Sequence, residues 1–107
     1  MEIVQYSIIL VNPNPTVGSE IKKTRPCVVI SPDEMNKHLQ TITIAPMTTQ
    51  SGKYPTRAEV KHHDQVGWVV IDQIRTIDKQ RILKVSGKLT EKEIIEVKNI
   101  IREAFVD

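Results

Sequence analysis

The sequence predicts an α+β architecture: a strongly curved antiparallel sheet, rolled toward a small partly closed barrel, finished by one C-terminal amphipathic helix. Two observations carry this prediction. Short apolar runs cut by proline, glycine and turn residues fill the chain as far as Leu89, and beyond Thr90 the apolar spacing changes from that of strands to that of a helix.

Residues 7–11 form a short apolar run closed by Asn12-Pro13-Asn14-Pro15, where two prolines preclude further ladder pairing. A second run, 27–30, lies between Pro26 and Pro32. Ser31-Pro32-Asp33-Glu34 carries a capping signature with proline at the first helical position, predicting a short helix through about His38. Thr41-Ile42-Thr43-Ile44 alternates with period two, as a strand with one solvated face does, until Pro46 stops it; Arg57-Ala58-Glu59-Val60 alternates more weakly. Trp68-Val69-Val70-Ile71 is continuous and β-branched, the pattern of a central strand buried on both faces, with Gly67 before it and Asp72 after it. Residues 84–89 supply a last strand. Thr90-Glu91-Lys92-Glu93 is a capping box, and Ile94, Val97, Ile101, Ala104 and Phe105 then recur at helical spacing opposite Glu96, Lys98, Asn99, Arg102 and Glu103.

At 107 residues the chain is expected to form one domain, 1–107, with a single small core that a dimer interface would support. Charged residues at 26% and hydrophobic ones at 39% exclude a disordered or membrane-spanning class, and no apolar run approaches the ~20 residues of a membrane helix. The opening Met1-Glu2-Ile3-Val4 lacks the basic region of a secretory signal, so a cytoplasmic location is expected. The one cysteine, Cys27, lies in an apolar run and reads as a small core residue. A net charge of +2 is too weak to imply an anionic partner by itself, but Lys22, Lys23 and Arg25 cluster in one segment and Lys53 and Arg57 in another.

Three segments carry unusual chemistry. Pro15-Thr16-Val17-Gly18-Ser19-Glu20, with Thr24-Arg25-Pro26 close behind, combines a turn, a carboxylate, a guanidinium and a rigid exit. Ala45-Pro46-Met47-Thr48-Thr49-Gln50 ends a strand in hydroxyls, and Asp72-Gln73-Ile74-Arg75-Thr76-Ile77-Asp78 ends one in charges, where Asp72 and Arg75 could pair across a turn. His62 and His63 lack a Cys or Glu at zinc-ligand spacing, and neighbouring side chains point apart, so they read as exposed, solvated imidazoles and no metal site is expected. His38 reads as a helix-end residue.

In order and over about Ile8 to Phe105, these segments resemble the MazF/PemK family of toxin endoribonucleases. The resemblance implies the SH3-like barrel of the MazF, PemK and CcdB toxins, assembled as a homodimer, acting without metal or other cofactor on single-stranded mRNA, and inhibited by a cognate acidic antitoxin. It makes Arg25, which matches the family's Arg-Pro motif, and Thr48, which ends its second conserved strand, the catalytic pair. A guanidinium stays protonated above pH ~12, so Arg25 is better cast as a clamp on the scissile phosphate than as a base. Thr48 then donates a hydrogen bond to the same oxygens, and Glu20 orients the guanidinium or accepts the 2′ proton, with Asp72 the second candidate for that role. RNA contacts are expected from Gly18, Ser19, Lys22, Lys23, Thr49, Lys53, Asp72 and Gln73, with the Gln73 amide against a base edge. Tyr54 beside Lys53 is offered for stacking on a base, whereas Trp68 reads as core or dimer interface. Departures are Ile21-Lys22-Lys23-Thr24 where relatives are glycine-rich, and Tyr6-Ser7 in place of Gly-Asp. The alternative is a non-catalytic poison of the same fold that binds DNA gyrase or RNA, although the ending Ala104-Phe105-Val106-Asp107 lacks the aromatic-Gly-Ile of gyrase binders.

Overall fold

Antiparallel pairing joins all the strands of the computed structural model, which describes residues 2–12 and 24–106, into one curled seven-stranded sheet. The strands are β1 (Ser7–Val11), β2 (Arg25–Val29), β3 (Thr41–Thr48), β4 (Arg57–His62), β5 (Gln65–Val70), β6 (Arg75–Asp78) and β7 (Ile82–Lys88). Helix α1 (Asp33–His38) lies between β2 and β3, and α2 (Glu91–Ile101) follows β7. The sheet runs β4-β5-β3-β2-β1-β7, with β6 also paired to β3. This is the predicted curled sheet with a C-terminal helix.

Strand β3 is the organising element, and it differs from expectation. Pro46 does not stop it. One edge of β3 pairs with β2 from Val29↔Ile44 to Cys27↔Pro46, while the other changes partner, using residues 41–44 for β6 and 47–48 for β5. Ala45 and Pro46 fall in the gap between those two partners, where a residue without an N–H costs no ladder bond on that edge. Strand β6 was not expected, because its exposed Arg75, Thr76 and Asp78 leave only Ile77 to bury. The predicted central strand is present as β5, longer at its start, and Ile71 already belongs to a 3₁₀ turn, Ile71–Gln73. Strand β4 continues to His62 and returns through His63 and Asp64, both left-handed (φ 53° and 60°), a two-residue hairpin turn without the usual glycine.

Alternation on adjacent strands feeds two apolar clusters, one on each face of the sheet. Ile8, Val28, Ala45, Val69 and Ile71 pack against Leu89, Val97 and Ile100, whereas Ile9, Cys27, Val29, Ile42, Ile44 and Ile77 fill the other side. Each fully buried aliphatic side chain contributes about 1.5–3 kcal/mol relative to exposure.

The two helices begin differently. Thr90 Oγ1 accepts from the Glu93 N–H (3.2 Å) and Glu93 Oε1 accepts from the Thr90 N–H (2.9 Å), the predicted capping box. Glu93 Oε2 also accepts from the Lys61 N–H at 2.7 Å, tying α2 to β4. At α1 the N-cap position is Pro32 and no side chain caps it. The Ser31 hydroxyl instead donates to Asn36 Oδ1 (2.6 Å) and accepts from the Thr43 N–H (3.1 Å), joining α1 to β3. Val97 and Ile100 form the buried stripe of α2. Ala104 and Phe105, expected on that stripe, are exposed, Phe105 by 60%, because residues 102–106 widen into a π-type turn that carries them off it. Among the described residues no helix is long and apolar enough to cross a membrane.

Candidate active site

Strand register brings Arg25 and Thr48 together. Cys27 lies opposite Pro46 and Val28 opposite Ala45, so extending the β2–β3 pairing by two residues sets Arg25 opposite Thr48 on the same side of the sheet. Directly opposed residues hold their Cβ atoms about 5 Å apart. Both line a hollow of about 330 Å³ at the end of β2 and β3, walled by the β4–β5 hairpin through His62, Gln65 and Val66. Arg25 is exposed and has no ion pair among the described residues, so its fork of donors faces the hollow unspent. Thr48 is half-buried, and its Oγ1 accepts from the Gln50 N–H at 3.1 Å, leaving the hydroxyl proton for an outside acceptor. Thr49 and Gln50 line the same hollow.

Behind Arg25, Cys27 is buried, with its thiol 3.8 Å from the Arg25 carbonyl. Burial pushes that thiol up to about 11 against the opposing pull of Arg75 and Arg25, so it is protonated at neutral pH, as a core residue should be.

The remaining expected site residues are placed elsewhere. Asp72 Oδ1 accepts from the Thr56 hydroxyl (2.9 Å) and pairs with Arg57 Nε (3.6 Å) instead of with Arg75, and neither Asp72 nor Gln73 lines the hollow. That occupied carboxylate makes Asp72 a structural anchor. Lys53 lines a second, wider groove of about 990 Å³ between the β4–β5 hairpin and α2, together with Tyr54, Trp68 and Glu96. Tyr54 is exposed, but Arg57 covers one face of its ring at 5.0 Å from the centroid. Gly18, Ser19, Glu20, Lys22 and Lys23 lie outside the described residues. Among the described residues no three His, Cys, Asp or Glu side chains gather closely enough to hold a metal ion.

His62 is where the structure departs furthest from the sequence reading. It is half-buried and lines the hollow, and it does not point away from its neighbour: His62 Nε2 and His63 Nε2 both reach Ser86 Oγ, at 3.0 and 3.3 Å, with ring centroids 3.9 Å apart. The left-handed backbone at His63 breaks the strand alternation from which divergence was expected. Burial lowers the His62 pKa, the nearby His63 lowers it further, and Glu93 opposes both. Recognising His63-Asp64 as a tight hairpin turn was the signal that could have found it.

The family model described as "PemK-like, MazF-like toxin of type II toxin-antitoxin system" matches residues 4–105. A protein named Endoribonuclease MazF from Staphylococcus epidermidis is 33% identical over 100 residues, covering 88% of this chain and 83% of that protein. The fold superposes on a MazE-MazF structure from Deinococcus radiodurans with a TM-score of 0.82 at 18% identity, covering 99% of this chain and 97% of that one. A mycobacterial endoribonuclease solved in complex with its cognate antitoxin gives a TM-score of 0.80 at 17% identity, covering 95% and 93%. Matching a family model over nearly its whole length, and a relative at one third identity, this chain belongs to the PemK-like, MazF-like toxins of type II toxin-antitoxin systems.

Proposed function

We propose that the chain is a sequence-specific, metal-independent endoribonuclease that cleaves single-stranded mRNA by attack of a ribose 2′-hydroxyl on the adjacent phosphate. The products are a 2′,3′-cyclic phosphate and a 5′-hydroxyl. The observation that supports it most directly is the cross-strand placement, in one open hollow, of an Arg25 without an ion pair among the described residues and a half-satisfied Thr48. RNA carries its own nucleophile, so the protein need only position it, offset the charge on phosphorus and manage two protons. Arg25 clamps two phosphate oxygens and Thr48 donates a hydrogen bond to the same centre, both held ready before the substrate arrives. Such chemistry has no intrinsic need of a metal-bound nucleophile. Thr49 extends the contact surface, and Gly18, Ser19, Glu20, Lys22 and Lys23 are assigned to RNA by the family pattern alone. Lys53 belongs with Tyr54 to the flanking groove. Its cellular partners are a cognate acidic antitoxin, attracted by the basic segments, and a second copy of the chain. An mRNA substrate places the activity in the cytoplasm.

The test is incubation with a long unstructured RNA in EDTA, followed by mapping of new 5′-hydroxyl ends. Discrete cuts at a recurring short sequence, lost in Arg25→Ala, are expected. A requirement for Mg²⁺, or intact RNA throughout, rejects the proposal.

A further inference from the structure

We infer that His62 is the group that takes the proton from the ribose 2′-hydroxyl. The inference rests on Arg25 and Thr48 holding the scissile phosphate, and it adds the base that this pair lacks. Of the described residues around the hollow, Arg25 offers only donors, and the threonine hydroxyls and glutamine amides are too weakly basic to take a proton. His62 alone of that lining can accept a proton at pH 7. Asp72, the one carboxylate considered for the role that is among the described residues, is held by Thr56 and Arg57 and does not line the hollow.

The imidazole is seated, not merely present. Its Nε2 meets Ser86 Oγ on β7 at 3.0 Å, and the ring rests over Gly87, where a Cβ would stand 3.1 Å from Cε1 and 3.5 Å from Nδ1. Ser86 has one hydroxyl proton and two imidazoles on its oxygen, so at least one ring must donate an Nε2–H to it. We assign that donor to His62, which makes the shorter contact, and this assignment leaves its Nδ1 lone pair with no partner among the described residues. Among the described residues, the charged groups that shift the His62 pKa are His63 on its own hairpin and Glu93 on α2, and Arg25 of β2 lines the same hollow. Both Glu93 oxygens are engaged by the Thr90 and Lys61 N–H groups, and the carboxylate opposes the burial and the His63 ring that favour neutral His62. From β7, Ser86 and Gly87 add no charge.

In the step itself, the 2′-oxygen bonds to phosphorus as its proton passes to His62 Nδ1. The P–O5′ bond breaks with its electron pair on the 5′-oxygen, which takes a proton from solvent. The imidazolium then returns its proton to solvent, and no net proton is consumed. Positioned bases of this kind contribute about 10²–10⁴-fold.

The test compares cleavage rates from pH 5 to 9 for the unmodified protein, His62→Gln, His62→Gly and His63→Gln, reading cuts as 5′-hydroxyl ends. The unmodified rate is expected to fall as pH drops through the pKa of His62, since protonation removes the base. His62→Gln should lose about 10²–10³-fold at pH 7 and flatten this acid limb, and added imidazole should restore part of the rate to His62→Gly. His63→Gln should keep the limb but move it to higher pH, because a neighbour that lowers the His62 pKa is gone. Should the His62 variants fail to fold, a limb unmoved in His63→Gln overturns the inference. A His62→Gln enzyme within threefold of the unmodified rate, with the same acid limb, also overturns it while the nuclease reading stands. Absence of cuts by the unmodified protein overturns both.

Discussion

Arg25 begins β2 and Arg57 begins β4 of the same curled sheet, and they are used in opposite ways. Arg57 is three-quarters buried at its side chain and engaged by its own fold: Nη1 donates to Ser51 Oγ at 2.7 Å, Nε pairs with Asp72, and the guanidinium covers the Tyr54 ring. Arg25 is exposed and unpaired among the described residues, beside a hydroxyl that still has a proton to give. An arginine with its donors spent on its own fold stabilises a loop. One whose donors are left over stands ready for an anion.

Mutation can break that contrast. The largest effect is expected from Arg25→Ala, which should lower RNA cleavage about 10³-fold in the end-mapping assay while leaving urea stability within about 0.5 kcal/mol. Thr48→Val, which keeps the shape and removes the hydroxyl, should cost about 10²-fold in cleavage. Equal losses of stability in either variant would show that the pair is structural.

Two further changes sharpen the comparison from the folding side. Cys27, between exposed Arg25 and the buried end of β2, has its thiol raised in the folded state to about 11 from an ordinary 9.0. The unfolded chain therefore ionises first. Stability attributable to this group is complete below pH 9 and declines as pH rises from 9 to 11, by about 2 kcal/mol. Urea titrations at pH 8 and 10.5 should show this extra decline in the unmodified chain and its absence in Cys27→Ala. The smallest effect, about 1–2 kcal/mol of urea stability, is expected from Arg57→Ala, which removes one hydrogen bond, one partly exposed ion pair and one cation–π contact. Its cleavage rate should stay within a fewfold of the unmodified value.

What could be read from the sequence was local. The Thr90–Glu93 capping box is visible because both of its partners lie within one helical turn, and the same closeness exposed the amphipathic stripe of α2 as far as Ile101. Ser31-Pro32-Asp33-Glu34 marked the short helix, Asp33–His38, but not how it begins, because the serine found better partners at Asn36 and Thr43, which the local pattern does not reveal. Pro46 misled for a related reason: whether a proline ends a strand depends on what lies beside it, and here two partner strands leave a gap. Arg25 and Thr48 could be nominated by family resemblance, but their approach is a matter of β2–β3 register, which no spacing in one segment encodes. His62 is half-buried and shares Ser86 with His63, contrary to the expected divergence, because alternation applies only while the backbone remains extended, and His63 is left-handed.

The interruption along β3 has a further consequence for how the molecule meets others. An unpaired stretch of strand is normally an invitation to a foreign chain, which can add itself by main-chain hydrogen bonding and seed aggregation. Between β5 and β6 that invitation is withdrawn, since Pro46 has no donor to offer an intruding strand, Ala45 is fully buried, and the Ile71–Gln73 turn that joins β5 to β6 packs against β3. A half-barrel that leaves its seams incomplete thereby avoids becoming a template for its own copies.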